Sequence, residues 1–208
     1  MLVKIWRAFA LTACMLCAAT SAHSASKTLL VLGDSLSAEY GLARGAGWVP
    51  LLEQRLKSGK LDVKVVNASI SGDTTSGGRA RLQPLLDRHK PDVLVLELGA
   101  NDALRGLPVA STESNLRAMI ESAQKIGARV LLVGMQIPPN YGSEYANRFS
   151  GLFPKLAKEY KLPLVPFFLA PLIERPDMFQ ADRLHPTAEA QPLLLEVIWP
   201  RLQPLLAK

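Results

Sequence analysis

The stretch Leu29-Leu30-Val31-Leu32-Gly33-Asp34-Ser35 runs from a continuous apolar segment into a glycine turn and places a serine just beyond it. A continuous run rich in leucine and valine is typical of a strand covered on both faces, as in a parallel sheet. Later runs of the same kind follow at intervals along the chain. We therefore predict five strands: Leu29–Leu32, Val63–Asn67, Val93–Leu98, Arg129–Gly134 and Leu164–Phe168.

Longer amphipathic segments separate these runs and predict helices. Asp73 or Thr74 can cap the second of them, and Gly127 ends the third. The alternation of strands and helices predicts a single three-layer α/β/α domain with a five-stranded parallel sheet in a flavodoxin-like order. The predicted helices are Trp48–Lys57, Thr75–Arg88, Ser111–Ile126, Tyr145–Tyr160 and a last one from about Thr187 to Leu206, bent near Pro192 or Pro200.

The N-terminus reads as an export signal. Basic residues Lys4 and Arg7 precede an apolar stretch, Ala8–Thr20, which is too short to cross a bilayer. Small residues follow, and they suit cleavage near Ser24 or Ala25. We therefore expect an exported protein that is periplasmic or secreted.

Two other readings of this segment stay open. One is an uncleaved anchor. The other is a lipoprotein signal, because Leu11-Thr12-Ala13-Cys14 resembles a lipoprotein cleavage box. We rank both below simple export, so the predicted organisation is a signal peptide over residues 1–25 and one domain over residues 26–208.

Cysteine usage and charge exclude several classes of protein. Cys14 and Cys17 both fall in the predicted signal peptide, so the exported chain has no thiol for a disulfide, a nucleophile or a metal ligand. The net charge is +6, but the basic residues are scattered and no stacking motif accompanies them, which argues against a nucleic-acid partner. We expect no cofactor, no metal, a monomer, and at most weak contact with an anionic membrane surface.

A serine hydroxyl becomes a nucleophile only when a base removes its proton. Residues 26–208 contain two histidines, of which His89 lies at a predicted helix end on the edge of the sheet away from Ser35. His185 is therefore the candidate base. It precedes Pro186, so we expect it to open the last helix, where the dipole disfavours a charged imidazole. Asp182 can fold back to orient the ring and stabilise the imidazolium.

Acyl transfer also needs hydrogen-bond donors for the developing oxyanion. The backbone N–H groups of Ser35 and Gly72 and the side-chain amide of Asn101 are the candidates. Each residue follows a predicted strand, as His185 does, and ligands of parallel sheets bind beyond the carboxyl ends of the strands. Gly72 and Asn101 are also common turn residues. Glu97, a carboxylate inside an apolar strand, is expected to make a structural hydrogen bond.

The order of these pieces resembles the SGNH (GDSL) hydrolase superfamily, and the match spans nearly all of residues 26–208. The resemblance implies a catalytic triad of Ser35, Asp182 and His185, with an oxyanion hole formed by Ser35, Gly72 and Asn101. The matching blocks are Gly33-Asp34-Ser35-Leu36, Gly72, Gly99-Ala100-Asn101-Asp102 and Asp182 through His185.

Two longer stretches, Leu32–Ala38 and Asn67–Thr74, are similar to the exported thioesterase I/arylesterase/lysophospholipase subgroup of that superfamily. This similarity implies an acyl-chain pocket. Apolar residues on the predicted site edge suit such a pocket, although packing of loops onto the core explains them equally well. The candidates for substrate binding are Leu107, Pro108, Ile137, Pro138, Tyr141 and Phe167.

Our first hypothesis is a serine ester hydrolase that cleaves acyl or aryl esters, or lysophospholipids, through an acyl-enzyme on Ser35. One alternative is a carbohydrate or peptidoglycan O-deacetylase on the same fold. It would be expected to carry sugar-stacking aromatics, yet aromatic residues make up 6% of the chain, and Trp48 and Trp199 fall within predicted helices. The other alternative is a non-catalytic lipid-binding module, which an intact pair of Ser35 and His185 argues against.

Overall fold

A computed structural model describes residues 26–207, which form a parallel sheet of five strands in the order β2-β1-β3-β4-β5. This confirms the predicted α/β class and the flavodoxin-like strand order. The predicted signal peptide lies outside the described residues. The strands are β1 (Lys27–Gly33), β2 (Val63–Asn67), β3 (Val93–Glu97), β4 (Arg129–Val133) and β5 (Leu164–Val165).

Helices cover both faces of the sheet. The first and last helices pack on each other on one face, while the second, fourth and fifth pack in series on the other. No helix within residues 26–207 is long and apolar enough to cross a membrane. The α-helices are α1 (Trp48–Ser58), α2 (Thr75–His89), α3 (Ala100–Leu104), α4 (Val109–Lys125), α5 (Ser143–Tyr160) and α6 (Gln191–Leu206), with short 3₁₀ turns at Pro139–Tyr141, Ala170–Leu172, Pro176–Met178 and Ala188–Ala190.

The register of the central strands places the site. β1 and β3 are neighbours, and Gly33 at the end of β1 pairs with Glu97 at the end of β3. Leu29 to Leu32 and all of β3 are buried, as expected for strands covered on both faces. The turns that follow these two strands therefore leave the same edge side by side, which brings Ser35 close to Asn101.

The fifth strand is shorter than predicted. It ends at Val165 rather than Phe168, because Pro166 follows and has no N–H for a ladder bond. Phe167 and Phe168 therefore lie beyond the strand. The backbone N–H of Phe168 still donates to the carbonyl of Gly134, so the segment stays against the sheet.

The prediction that His185 opens the last helix was wrong. Thr187 has extended backbone angles (φ −72°, ψ 176°), and α6 begins only after the 3₁₀ turn that follows it. Pro186 instead pairs with Phe179 in an isolated antiparallel bridge. A helix dipole therefore does not act on the imidazole in the way we expected. Pro192 lies in the first turn of α6, where a missing N–H costs no hydrogen bond.

Two smaller differences affect the loop after β3. A short helix, α3, was not predicted, and it contains Asn101 in its first turn. The fourth helix begins at Val109 rather than Ser111, so Pro108 occupies its N-cap position instead of an open loop.

Candidate active site

The turn after β1 is shaped by its own residues. Asp34 Oδ1 accepts a hydrogen bond of 3.0 Å from the backbone N–H of Leu36, which closes the turn around Ser35. There is no room for a side chain at position 33, since a Cβ built on Gly33 would lie 2.6 Å from Glu97 Oε2 and 2.8 Å from Ser37. The chain can therefore approach Glu97 closely and present a half-buried Ser35 at the edge of the sheet.

A network of buried polar groups holds this turn against the end of β3. Glu97 Oε2 accepts hydrogen bonds from Ser37 Oγ at 2.8 Å and from the backbone N–H of Asp34 at 3.3 Å. Trp48 Nε1 in turn donates to Ser37 Oγ at 3.2 Å. Burial, reinforced by the neighbouring Asp34 carboxylate, raises the pKa of Glu97 well above its usual value. Burial also raises the pKa of Asp34, to about 6.

A chain of hydrogen bonds joins the candidate triad. The imidazole Nε2 of His185 lies 2.9 Å from Ser35 Oγ, and its Nδ1 lies 2.7 Å from Asp182 Oδ2. Asp182 Oδ1 accepts from the backbone N–H groups of His185 and Leu184. The backbone N–H of His185, followed by that of Leu184, lowers the pKa of Asp182 to about 2. The carboxylate favours the tautomer with the proton on Nδ1, which leaves Nε2 free to accept from the serine.

The loop that carries His185 is held at its base and at its side. The bridge between Phe179 and Pro186 closes the loop, and the backbone N–H of Gln180 donates to the carbonyl of His185 at 2.8 Å. The Gln180 side-chain amide donates to the carbonyls of Pro186 at 3.0 Å and Tyr40 at 2.9 Å. The Tyr40 ring packs on the imidazole with a centroid separation of 4.3 Å. The sequence reasoning missed both Gln180 and Tyr40.

The candidate oxyanion donors lie on turns that hydrogen bonds join to the turn of Ser35. Within residues 26–207 the backbone N–H groups of Ser35 and Gly72 have no acceptor. Gly72 has a positive φ of 78°, which favours glycine. The side-chain amide of Asn101 donates to Asp73 O at 2.9 Å and to Asp34 Oδ2 at 3.2 Å. An oxyanion would therefore have to displace or share one of these bonds, and the longer one is the weaker.

Two carboxylates near this turn have structural partners. Asp102 is buried and accepts from both the N–H and the hydroxyl of Thr75, which ties α3 to the start of α2. Asp73 forms an ion pair of 2.7 Å with Arg81. Both carboxylates therefore brace the site through these partners, and neither contacts the serine or the imidazole. Thr74 caps α2, as expected.

The candidates for acyl binding differ in exposure. Leu107 and Tyr141 are 37% and 42% exposed, and Pro108 and Pro138 are also exposed. Ile137 is buried in the core, and the half-buried Phe167 packs against that core. For these last two residues the structure favours packing. The loop after α3 is anchored by Tyr145, whose hydroxyl donates to the carbonyl of Leu107 at 2.7 Å.

A second apolar feature lies next to the segment that follows β2. A groove of about 410 Å³ lies between the segment that follows β2 and α2, and Ile70, one of its lining residues, is 52% exposed. The sequence does not predict this groove, because its shape depends on how α2 packs beside the segment that follows β2. They are Ala68, Ser69, Ile70, Arg81, Pro84 and Leu85.

The chain is similar to enzymes of known class. It is 49% identical over 200 residues to the esterase TesA of Pseudomonas aeruginosa, covering 96% of this chain and 100% of that protein. It is 44% identical over 182 residues to thioesterase 1/protease 1/lysophospholipase L1 of Escherichia coli K12, covering 88% and 86% of the two chains. A crystal structure of TesA superimposes with a TM-score of 0.83 at 51% identity, covering 86% of this chain and 99% of that one.

The family model described as GDSL-like Lipase/Acylhydrolase matches residues 31–192, from the second half of β1 to the first turn of α6. This range contains every residue of the hydrogen-bonded chain and each candidate oxyanion donor. The chain belongs to the GDSL-like lipase/acylhydrolase family.

Proposed function

We propose that this protein hydrolyses acyl and aryl esters through an acyl-enzyme intermediate on Ser35. The observation that carries the proposal is the continuous chain from Asp182 through His185 to Ser35, with contacts of 2.7 and 2.9 Å. The family is one of lipases and acylhydrolases, and the relatives are named as esterases and thioesterases. An ester hydrolase is therefore the function that the residues support best.

In the first half of the reaction, Ser35 Oγ attacks the ester carbonyl carbon while its proton passes to His185 Nε2. Asp182 stabilises the imidazolium that results. The tetrahedral intermediate collapses, the bond to the leaving oxygen breaks, and the imidazolium gives its proton to that oxygen. Water, activated by the same imidazole, then attacks the acyl-enzyme, releases the carboxylic acid and restores the serine.

We assign the oxyanion to the N–H groups of Ser35 and Gly72 and to the side-chain amide of Asn101. The two backbone donors need no rearrangement, because neither is engaged within the described part of the chain. Asn101 would exchange its bond to Asp34 Oδ2 for one to the oxyanion. Donors that point to the developing charge before reaction are worth more than donors that reorganise.

The substrate class follows from the apolar surroundings of the site. We propose short to medium acyl esters, aryl esters and lysophospholipids, with the acyl chain lying against Leu107 and Tyr141 or in the groove beside Ile70. Apolar side chains with few polar groups suit such chains. A sugar deacetylase is less well supported, since Trp48 is fully buried and Trp199 packs against Arg55.

We further propose that residues 1–25 direct export, so that the mature protein is a periplasmic or secreted monomer. Contact with an anionic membrane surface would then be weak, in keeping with the scattered basic residues and with a net charge that falls from +6 to +4 when Lys4 and Arg7 are removed. N-terminal sequencing of the protein recovered from a periplasmic fraction tests the export step. A start at or next to Ser26 supports it, and retention of Met1 with cytoplasmic recovery contradicts it.

Hydrolysis of para-nitrophenyl esters and lysophosphatidylcholine, combined with labelling by a para-nitrophenyl phosphonate, tests the function. We expect turnover of the esters and a single phosphonyl adduct on Ser35. Ser35→Ala should abolish both while thermal unfolding stays nearly unchanged, because the hydroxyl is half-buried and has no structural partner besides His185. Ser111→Ala, at an exposed helical serine, is the matched control. Turnover by Ser35→Ala at the wild-type rate would dismiss the mechanism.

A further inference from the structure

An arginine side chain lies directly against the turn that contains Gly72. Arg105 Nη2 donates a hydrogen bond of 2.8 Å to the carbonyl of Gly72. A Cβ built on Gly72 would meet the same nitrogen at 3.8 Å, so the guanidinium faces the side of Gly72 where a side chain would be. Arg105 is the residue that ends α3, one turn beyond Asn101, and it is exposed.

The charge of Arg105 is not neutralised by the protein. Within residues 26–207 it forms no ion pair, and its guanidinium makes no hydrogen bond besides the one to Gly72. Arg81, which contacts the same turn, instead forms an ion pair of 2.7 Å with Asp73. The two arginines therefore differ in kind, because Arg81 is bound within the fold while Arg105 keeps donors that are free for a ligand.

Two other loops at this edge of the sheet also carry an arginine that has no carboxylate partner among the described residues. Arg44 lies in the loop that follows Ser35, and Arg183 lies between Asp182 and His185. Neither forms an ion pair in the described range, whereas Arg148 and Arg175 near the same edge each have a carboxylate partner. Arg44, Arg105 and Arg183 therefore contribute positive charge at this edge, which favours an anionic group on a substrate.

Gly72 links the proposed oxyanion hole to Arg105. The oxyanion would lie against the N–H of Gly72, and the carbonyl of the same residue bonds Arg105, so the guanidinium is within about 6 Å of that N–H. In an acyl glycerol phosphate, the glycerol carbons separate the phosphate from the ester carbonyl by a similar length. A phosphate also matches the planar fork of a guanidinium.

We propose that Arg105 binds a phosphate group carried by the acyl substrate, which makes glycerophosphate monoesters preferred over neutral esters of the same acyl chain. This inference rests on the proposed function and assigns a substrate class to the same site. Because Arg105 is exposed, solvent weakens the contact, and we expect a preference of about tenfold rather than an absolute requirement.

The test compares two soluble substrates that differ only in the phosphate: hexanoyl glycerol and hexanoyl glycerol phosphate, both kept below the concentration at which they form micelles. For Arg105→Gln we expect the ratio of kcat/KM for the phosphate ester to kcat/KM for the neutral ester to fall about tenfold. The change should lie mainly in KM. Arg105→Glu, which reverses the charge, should lower the ratio further.

The matched control is Arg88→Gln, which removes the same charge from an exposed arginine in the last turn of α2, at the opposite edge of the sheet. It should leave the ratio unchanged. A ratio that stays at its wild-type value in both Arg105 variants overturns the phosphate site, even if both rates fall together, since a common loss would mean that Arg105 only steadies Gly72. Failure to hydrolyse either ester would instead contradict the proposed function.

Discussion

The side-chain amide of Gln180 donates a hydrogen bond of 2.9 Å to the carbonyl of Tyr40 and thereby joins the loop of the candidate base to the loop of the candidate nucleophile. The two residues are 140 positions apart in the chain. Glycine at position 41 makes room for this contact, since a Cβ there would lie 2.0 Å from Gln180 Oε1. The distance between His185 and Ser35 depends on this contact as well as on the sheet.

Gln180→Ala removes the donors to both Tyr40 and Pro186. We expect kcat to fall about 10- to 100-fold with a smaller change in KM, because small displacements of a catalytic group are costly while the acyl contacts remain. Steady-state kinetics with a para-nitrophenyl ester gives both constants. Gln83→Ala, at an exposed glutamine in α2, is the control and should behave like wild type. An unchanged kcat in Gln180→Ala would show that the bridge and the Tyr40 ring suffice.

Asn101→Ala tests the third oxyanion donor. Loss of one such donor reduces kcat by about 10² to 10³, and we expect a fall in that range. The variant also removes the hydrogen bonds to Asp73 O and Asp34 Oδ2, so thermal unfolding should be measured alongside. A large loss of activity with a folded protein supports the role. A wild-type rate removes Asn101 from the oxyanion hole.

Asp182→Asn tests the orienting carboxylate. The amide favours the wrong imidazole tautomer, so kcat should fall by several orders of magnitude, about 10⁴ in the serine protease used as a template, while remaining measurable. Pre-steady-state kinetics should show the loss in acylation. A fall of less than about tenfold would mean that the two backbone N–H contacts of Asp182, and not its charge, are its main contribution.

The same carboxylate has a consequence for acid stability. Its pKa is lowered from 3.8 to about 2 in the folded protein, so it stabilises the fold above pH 3.8, and this contribution is lost as the pH falls through 2. Urea unfolding of wild type should therefore weaken more steeply between pH 4 and 2 than that of Asp182→Asn. The side chain is 37% exposed, so the difference should be modest. Equal slopes would contradict the lowered pKa.

Glu97→Gln tests the network below the nucleophile turn. Glutamine keeps an oxygen that accepts from Ser37 and Asp34, so activity should stay within a few-fold of wild type. Since burial raises the pKa of Glu97 above 4.5, ionisation destabilises the fold as the pH rises, and the variant should gain stability relative to wild type as the pH increases above 4.5. Glu97→Leu, which leaves the Asp34 N–H unpaired, should lose activity. A pH-independent stability difference for Glu97→Gln would argue against a neutral Glu97.

The parts of the fold that follow local rules could be predicted from the sequence. Runs rich in valine and leucine identified the five strands, because the central strands are buried on both faces, while β2, which contains the exposed Lys64 and Asn67, lies at the edge of the sheet. Their alternation with amphipathic segments then predicted a parallel sheet and its order. The predicted end of the fifth strand was wrong because of one residue. Pro166 ends the hydrogen-bonded ladder, while the apolar pattern continues to Phe168.

The sequence likewise predicted some features of the candidate site and not others. Ser35, Gly72, Asn101, Asp182 and His185 could be selected because their chemical types are rare or distinctive and each follows a strand. The expected helix at His185 was wrong because Pro186 suits a bridge as well as a helix start, and only the pairing with Phe179 decides between them. The exposure of Leu107 against the burial of Ile137 likewise depends on which elements pack nearby.

The sequence by itself determined the strand pattern and the set of groups able to carry out acyl transfer, since hydropathy and functional groups belong to single residues. Tertiary structure alone decided the contacts between distant segments: Gln180 with Tyr40, Glu97 beneath Asp34, and Arg105 against Gly72. The physical reason is that a hydrogen bond requires two groups to lie within about 3 Å of each other, and that distance is set by the packing of the whole fold.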